Sequence, residues 1–201
     1  MQYSYEQGHE EEFPPAQRGA WTQGLRQVQW DAIDPNGDHL IFELSFRRED
    51  ESRWKVFAED IEGENFTFNA SGVPDGAYRI RVVASDRRFN PNDAKEAAKE
   101  TEIFVVDNTA PDFSELAHKR DGEGVRITGI LRDDLSDVVR LEFSVNGDDW
   151  VDEPPADGIF DSLDEKIEFK VEAPSGEEHS VILRGTDLAG NLGSARVLIQ
   201  P

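Results

Sequence analysis

Gly76-Ala77-Tyr78-Arg79-Ile80-Arg81-Val82-Val83-Ala84-Ser85-Asp86 decides the fold. Tyr78, Ile80, Val82 and Ala84 fall on one face of an extended chain, and Arg79, Arg81, Val83 and Ser85 on the other. That period of two marks a strand with one buried face. Val73-Pro74-Asp75-Gly76 ahead of it is turn chemistry, since Pro presets φ and Gly accepts positive φ. About a hundred residues later Gly176 to Asp187 repeats the plan in weaker form, with His179, Val181, Leu183 and Gly185 in the same phase. Two copies of one strand predict two copies of one domain.

The length agrees. A chain of 201 residues divides more naturally into two domains of roughly 90–100 residues than into one. Hydrophobic residues make up 37% and charged residues 32%, enough for the thin cores of sandwiches. The net charge of −22, from 43 acidic and 21 basic residues, excludes a partner held by its phosphate backbone and disfavours anionic membrane surfaces. The absence of Cys rules out disulfides, thiolate catalysis and zinc–thiolate sites. His9, His39, His118 and His179 are scattered without metal-binding spacing. No apolar run is long enough to span a bilayer. Met1 to Phe13 has neither the basic nor the apolar region of a signal peptide. The expectation is an internal piece of a longer exported chain.

In chain order, residues 1–19 read as a polar, acidic tail or linker, with Tyr3, Tyr5 and Phe13 as its apolar exceptions. Trp21 to Arg26 predicts a first strand and Leu25 to Ile33 a second, with Trp30 as a core residue. Asp34-Pro35-Asn36-Gly37-Asp38 is a turn. Asp34, Asn36 and Asp38 match the acidic or amide residues at the first three ligand positions of an EF-hand loop. Gly37 falls too early and no Glu closes the loop, so the EF-hand is rejected. Another calcium site from the same oxygens is the alternative. Leu40, Phe42, Leu44 and Phe46 alternate along a strand. Trp54, Val56 and Ala58 predict a short one, and Phe66 and Phe68 another. Asp93-Ala94-Lys95-Glu96 predicts a capped helical turn or two. Ile103 to Val106 closes the first half, and Asp107-Asn108-Thr109-Ala110-Pro111 is the joint. In the second half Val125, Ile127 and Leu131 lead to Asp133-Asp134, which corresponds to Asp34. Val139, Leu141, Phe143 and Val145 correspond to the Phe42 strand. Asn146-Gly147 signals a hairpin. Ile167, Phe169 and Val171 match Phe66 and Phe68, and Val197 and Ile199 end the fold. Asp86 and Asn90 recur as Asp187 and Asn191.

The turn, the Tyr78 strand and its repeat resemble fibronectin type III and bacterial immunoglobulin-like sandwiches. The resemblance implies an all-β chain of two tandem immunoglobulin-like (fibronectin type III-like) antiparallel β-sandwiches, over residues 20–107 and 108–201. It implies that Tyr78 forms a corner, its ring in the core and its hydroxyl bonded to nearby backbone. His179 replaces the second Tyr. Asp107-Asn108-Thr109-Ala110-Pro111 resembles the linkers between bacterial immunoglobulin-like repeats. More distantly it is similar to the joints of cadherins, which implies Asp107 and Asn108 as calcium candidates beside the plainer reading of a short linker.

Catalytic signatures are missing. There is no Gly-x-Ser-x-Gly elbow and no Gly-rich phosphate loop, and 43 acidic residues supply paired carboxylates by chance. Trp21, Trp54 and Trp150 are the candidates for stacking on a sugar. Trp54 and Trp150 recur at one place in both halves, which favours a core role common to the fold. The expected function is a non-catalytic structural or binding module, a spacer or presenting segment of a larger exported bacterial protein. Its partners would be neighbouring domains of the same polypeptide, another protein or a polysaccharide. Nucleic acid and membrane insertion are not expected, and the location is extracytoplasmic. No cofactor is required. The alternative is a calcium-dependent adhesion or carbohydrate-binding module.

Overall fold

The computed structural model describes residues 23–201. The expectations for residues 1–19, for a strand beginning at Trp21, and for Trp21 as a binding residue lie outside the described residues. All regular structure in the described chain is antiparallel strand. In the first half, β1 (Leu25–Gln29) pairs with β4 (Asn65–Asn69). The facing sheet runs from β3 (Lys55–Ile61) through β2 (Ile41–Arg48) to β5 (Gly76–Ser85). The far edge of β5 takes β6 (Glu96–Glu100) and β7 (Phe104–Val106) in succession. In the second half, β8 (Asp112–Asp121), β9 (Gly124–Arg132) and β12 (Asp164–Glu172) form one sheet. It faces β10 (Val138–Val145), β11 (Val151–Glu153), β13 (His179–Asp187) and β14 (Leu192–Ile199). The described chain forms two antiparallel β-sandwiches in tandem, the all-β architecture expected from sequence.

β5 does what its alternation predicts. Tyr78, Ile80 and Val82 are buried. Ile80 and Val82 pack with Phe42 and Leu44 of the neighbouring strand and with Val28 of the facing sheet, and Tyr78 packs with Ala70 and Val106. Tyr78 donates its hydroxyl to the Pro74 carbonyl at 2.7 Å, which makes the expected corner. His179 rebuilds that corner with a different side chain. It is buried, its Nε2 lies 2.9 Å from the Pro174 carbonyl, and its Nδ1 lies 3.1 Å from the Asn146 amide nitrogen. Asn146 Oδ1 accepts the Ser180 N–H, so its Nδ2 is the donor to the ring and Nε2–H donates to Pro174. Asn146 (φ 54°) and Gly147 (φ 87°) both take the positive φ that a tight hairpin after β10 requires.

Several expectations are corrected. The stretch 93–100 is not helical but ends in β6, because β5 has an open edge. Asp86 N donates to Lys95 O, Asp86 Oδ1 accepts Lys95 N at 2.6 Å, and pairing then runs from Ser85–Glu96 to Arg81–Glu100. Isolated helical turns cannot compete with a ladder already templated by a core strand. Among the described residues, the strand expected over Leu25 to Ile33 runs only from Leu25 to Gln29. In β3 the register shifts against β2, which leaves Val56 half exposed and turns Phe57 inward. Phe57 then meets Phe46, Phe66 and Phe68 with ring centroids 5.4–5.9 Å apart. A similar irregularity between Val138 and Arg140 buries Val138 and exposes Val139. Strand β8 was not foreseen at all.

The second sandwich is closed where β8 lies along β14. Among the described residues of the first sandwich, no strand takes that place. A hollow of about 490 Å³ opens there, lined by Val28, Trp30, Phe42, Val82 and the β6 strand. Trp30 packs on Phe42 at 5.2 Å, as its core assignment requires, but its Nε1 is enclosed without a hydrogen-bond partner.

Both corners are open to test by denaturant unfolding. Tyr78→Phe should lower stability by about 1 kcal/mol, the net worth of one hydrogen bond, and His179→Phe by more, since it strands both the Pro174 carbonyl and the Asn146 amide. Unchanged midpoints in both variants would show that the corners do not brace the sandwiches.

Candidate functional site

Three strands deliver one aspartate each to a single point between the sandwiches. Asp107 follows β7, Asp133 follows β9, and Asp187 ends β13. Each is held by its own turn, as short acidic side chains at strand ends favour. Asp187 Oδ1 accepts the Asn191 N–H and Oδ2 the Asn191 amide, both at 2.8 Å. Asp133 Oδ1 accepts the N–H groups of Leu135 and Ser136 at 2.8 and 2.9 Å. Asp107 Oδ1 accepts Thr109 N–H at 3.1 Å, and its Oδ2 accepts the Ser136 hydroxyl at 2.5 Å. One oxygen from each carboxylate lies within 4.8 Å of the other two. The residues are 6%, 3% and 1% exposed.

The electrostatics of this arrangement are unfavourable as they stand. Two like charges about 4 Å apart repel by roughly 4 kcal/mol at an effective dielectric of about 20. Among the described residues no basic side chain forms an ion pair with the trio. Arg132, the neighbour in sequence, turns to Asp134 and Asp164, each at 3.3 Å. Burial pushes the carboxyls of Asp107 and Asp187 above the usual carboxylate range, and the charge of Asp133 adds to both, against the opposing donors of Ser136, Thr109 and Asn191. Asp133 Oδ2 is enclosed and has no hydrogen-bond partner.

The trio sits where the two sandwiches meet. The Asn191 amide that holds Asp187 also donates to the Asp107 carbonyl at 3.2 Å. Its Oδ1 accepts Gln23 Nε2, from the start of the first sandwich, at 2.7 Å. Beside it, β14 approaches the joint so closely that a Cβ on Gly193 would stand 1.8 Å from the Pro111 carbonyl oxygen.

The residues singled out from sequence are dispersed differently. Asp34 and Asp38 come together with Asp86. Asn36 takes part in the turn instead, giving its N–H to Asp34 and its amide to Asp38. Asn90 bridges Asp38 and Asp86 at 2.8 and 2.9 Å. The Lys95 amide, with Asn90, holds the Asp86 carboxyl below the usual range. Asn108 points away from the joint: its amide donates to the Ala70 and Val73 carbonyls and its N–H to Asp75. Of the two joint candidates, then, only Asp107 reaches the acidic centre. Trp54 and Trp150 are not core residues, which corrects the shared-core reading. Both lie on outward sheet faces under a guanidinium, Arg47 at 5.0 Å from the Trp54 ring and Arg184 at 4.1 Å from Trp150, and Trp150 is 43% exposed. From sequence Asp187 reads as a turn cap, with a ligand role as the alternative, and Asp133 only as the counterpart of Asp34. The signal that pointed to them was the recurrence of Asp34, Asp86 and Asn90 as Asp133, Asp187 and Asn191.

No family model matches this sequence, and no curated protein matches it. Among solved structures, it is similar to the chicken interferon gamma receptor alpha chain, at 12% identity and a TM-score of 0.36, over 87% of this chain and 90% of that one. It is also similar to the FN1-FN3 domains of chicken CNTN1, at 11% identity and a TM-score of 0.38, over 90% of this chain. The chain spans 63% of the length of that second structure.

The raised carboxyls make a pH prediction with a definite sign. A native state that holds protons more tightly than the unfolded chain, whose Asp groups titrate near 3.9, is favoured at low pH. That contribution is lost as pH rises through the raised native values. In chelator-treated buffer, wild type should therefore lose stability relative to Asp187→Asn as pH rises from about 4 to neutrality. Parallel stability curves for the two proteins would show that Asp187 titrates as it does in the unfolded chain.

Proposed function

We propose that this chain is a non-catalytic structural and binding segment, a spacer that sets the relative placement of its two sandwiches and of neighbouring domains in a larger exported bacterial protein. The observation that carries this reading is the joint. Its polar groups are among the most buried in the described chain, and they bond across the boundary: Asn191 to Asp107 and to Gln23, Ser136 to Asp107. A freely swinging linker would leave such groups to water. Pro111 restricts φ in the connecting strand, and its carbonyl is packed on Gly193. On the other side, Asn108 and Thr109 are bound to the Ala70–Asp75 turn.

The charge of −22 points the partners toward proteins or polysaccharides rather than polyanions. No helix among the described residues is long and apolar enough to cross a membrane.

Because the chain has no cysteine, a spin-label pair reads the joint directly. With Glu59→Cys and Glu177→Cys, one label per sandwich at exposed sites, pulsed dipolar spectroscopy should give one narrow distance distribution. Adding Gly193→Ala, which drives a methyl into the Pro111 carbonyl, should shift or broaden it. A broad distribution in the parent protein, unchanged by Gly193→Ala, would overturn the spacer reading.

A further inference from the structure

We propose that Asp107, Asp133 and Asp187 form a binding site for a hard divalent cation of the calcium class, seated in the joint between the two sandwiches. Two independent observations meet here. The first is the trio itself: three buried carboxylates drawn together from three different strand ends, with no ion pair to a basic side chain among the described residues. The second is Asp133 Oδ2. Asp133 is 3% exposed, its Oδ1 is fully used by two backbone N–H groups, and its other oxygen is enclosed without a donor. A buried carboxylate oxygen left unpartnered is costly, and native structures rarely keep one without a reason. A cation beside it supplies the missing partner and neutralises the mutual repulsion at once.

The geometry suits such an ion. Ligand oxygens about 2.4 Å from a calcium ion lie up to about 4.8 Å from one another, the limit within which these three oxygens fall. The donor set is oxygen only, with no imidazole or thiolate nearby in the cluster, which selects hard cations over zinc or copper. Hydrogen bonds from Thr109, Ser136, Leu135 and Asn191 fix the carboxylates in place, as outer-shell donors do at metal centres. Bound there, the ion would tie the linker residue Asp107 to the β9–β10 and β13–β14 loops of the second sandwich. The Asp34, Asp38 and Asp86 trio does not carry the same inference. Two of its members are partly open to solvent, and Asn90 and the Lys95 amide already serve it.

This site stands apart from the spacer reading, since an ion can bind here whether or not the joint places other domains. Calorimetric titration of calcium chloride into the chelator-treated full chain tests it. The expected result is saturable binding that weakens at least tenfold in Asp133→Asn and in Asp187→Asn and persists in Asp34→Asn. Thermal melts should rise by roughly 5–10 °C in wild type with calcium a hundredfold above its dissociation constant, and not in the two joint variants. Asp133→Asn keeps the side-chain shape, relieves repulsion and can place its amide nitrogen where Oδ2 has no donor. In chelator it should therefore melt at or above wild type, which separates lost binding from lost folding. Asp187→Asn gives up one hydrogen bond from Asn191 and should melt lower. Absence of heat and of any melting shift at millimolar calcium would overturn the site. So would binding that survives both joint variants and disappears in Asp34→Asn.

Discussion

The Asp187–Asn191 pair holds the second sandwich to everything before it. Asp187 is the last residue of β13, the strand that carries the core of its module, so its position is set by Val181 and Leu183 beneath it. Its carboxylate grips the backbone and amide of Asn191, which turns the chain back into β14. The same Asn191 amide has a second hydrogen, and it goes to the Asp107 carbonyl. A turn inside one module thus becomes a clasp on the linker. The first half uses the same device in Asp86 and Asn90, but there the amide is spent on Asp38 of its own module. One sequence pattern serves as a local cap in one place and as a joint in the other. What differs is only the neighbour within reach.

Charge is handled by geometry elsewhere too. Glu142 is buried on the outward face of β10, where it takes Arg140 at 3.0 Å and Arg184 at 2.8 Å, and Arg184 lies over the Trp150 ring. Arg184 stands directly across from Glu142 in the ladder, so the pairing follows from strand register. In the first sandwich the equivalent Glu43 faces Val83, and the stacked pair there is Arg47 with Trp54 instead. The acidic excess of the chain is therefore not uniform repulsion. Some acidic groups are paired with arginines on the sheet faces, whereas the buried trio at the joint has no basic partner among the described residues.

Much of the fold was legible because alternation is a local property. The phases of β5, β9, β12 and β13 follow from which side chains are apolar at every second position, and the burial of Ile167, Phe169 and Val171 reproduces it. The failures share a physical cause. At Val56–Phe57 and at Val138–Val139 the partner strand imposes an irregularity, and an extra residue reverses the phase beyond it. Residues 96–100 have helical composition but lie beside an unpaired edge of β5, and ladder hydrogen bonds outweigh weak intrinsic propensity. Strand β8 has little alternation to announce it and is recruited by β9 and β14.

The candidate site was legible in its parts only. From sequence alone the chain was determined to have alternating strands, their recurrence in two halves, and Asp107 in the linker, because each of these depends on a few neighbouring residues. The sandwich fold and the Tyr corner were what the family resemblance implied. Only the tertiary structure decided that Asp107, Asp133 and Asp187, drawn from positions far apart in the chain, share one enclosed point, that Asn108 turns away from it, and that Trp54 and Trp150 face outward. Those outcomes depend on where separate strands end relative to one another, which is set by register, bulges and the packing of one sandwich on the next.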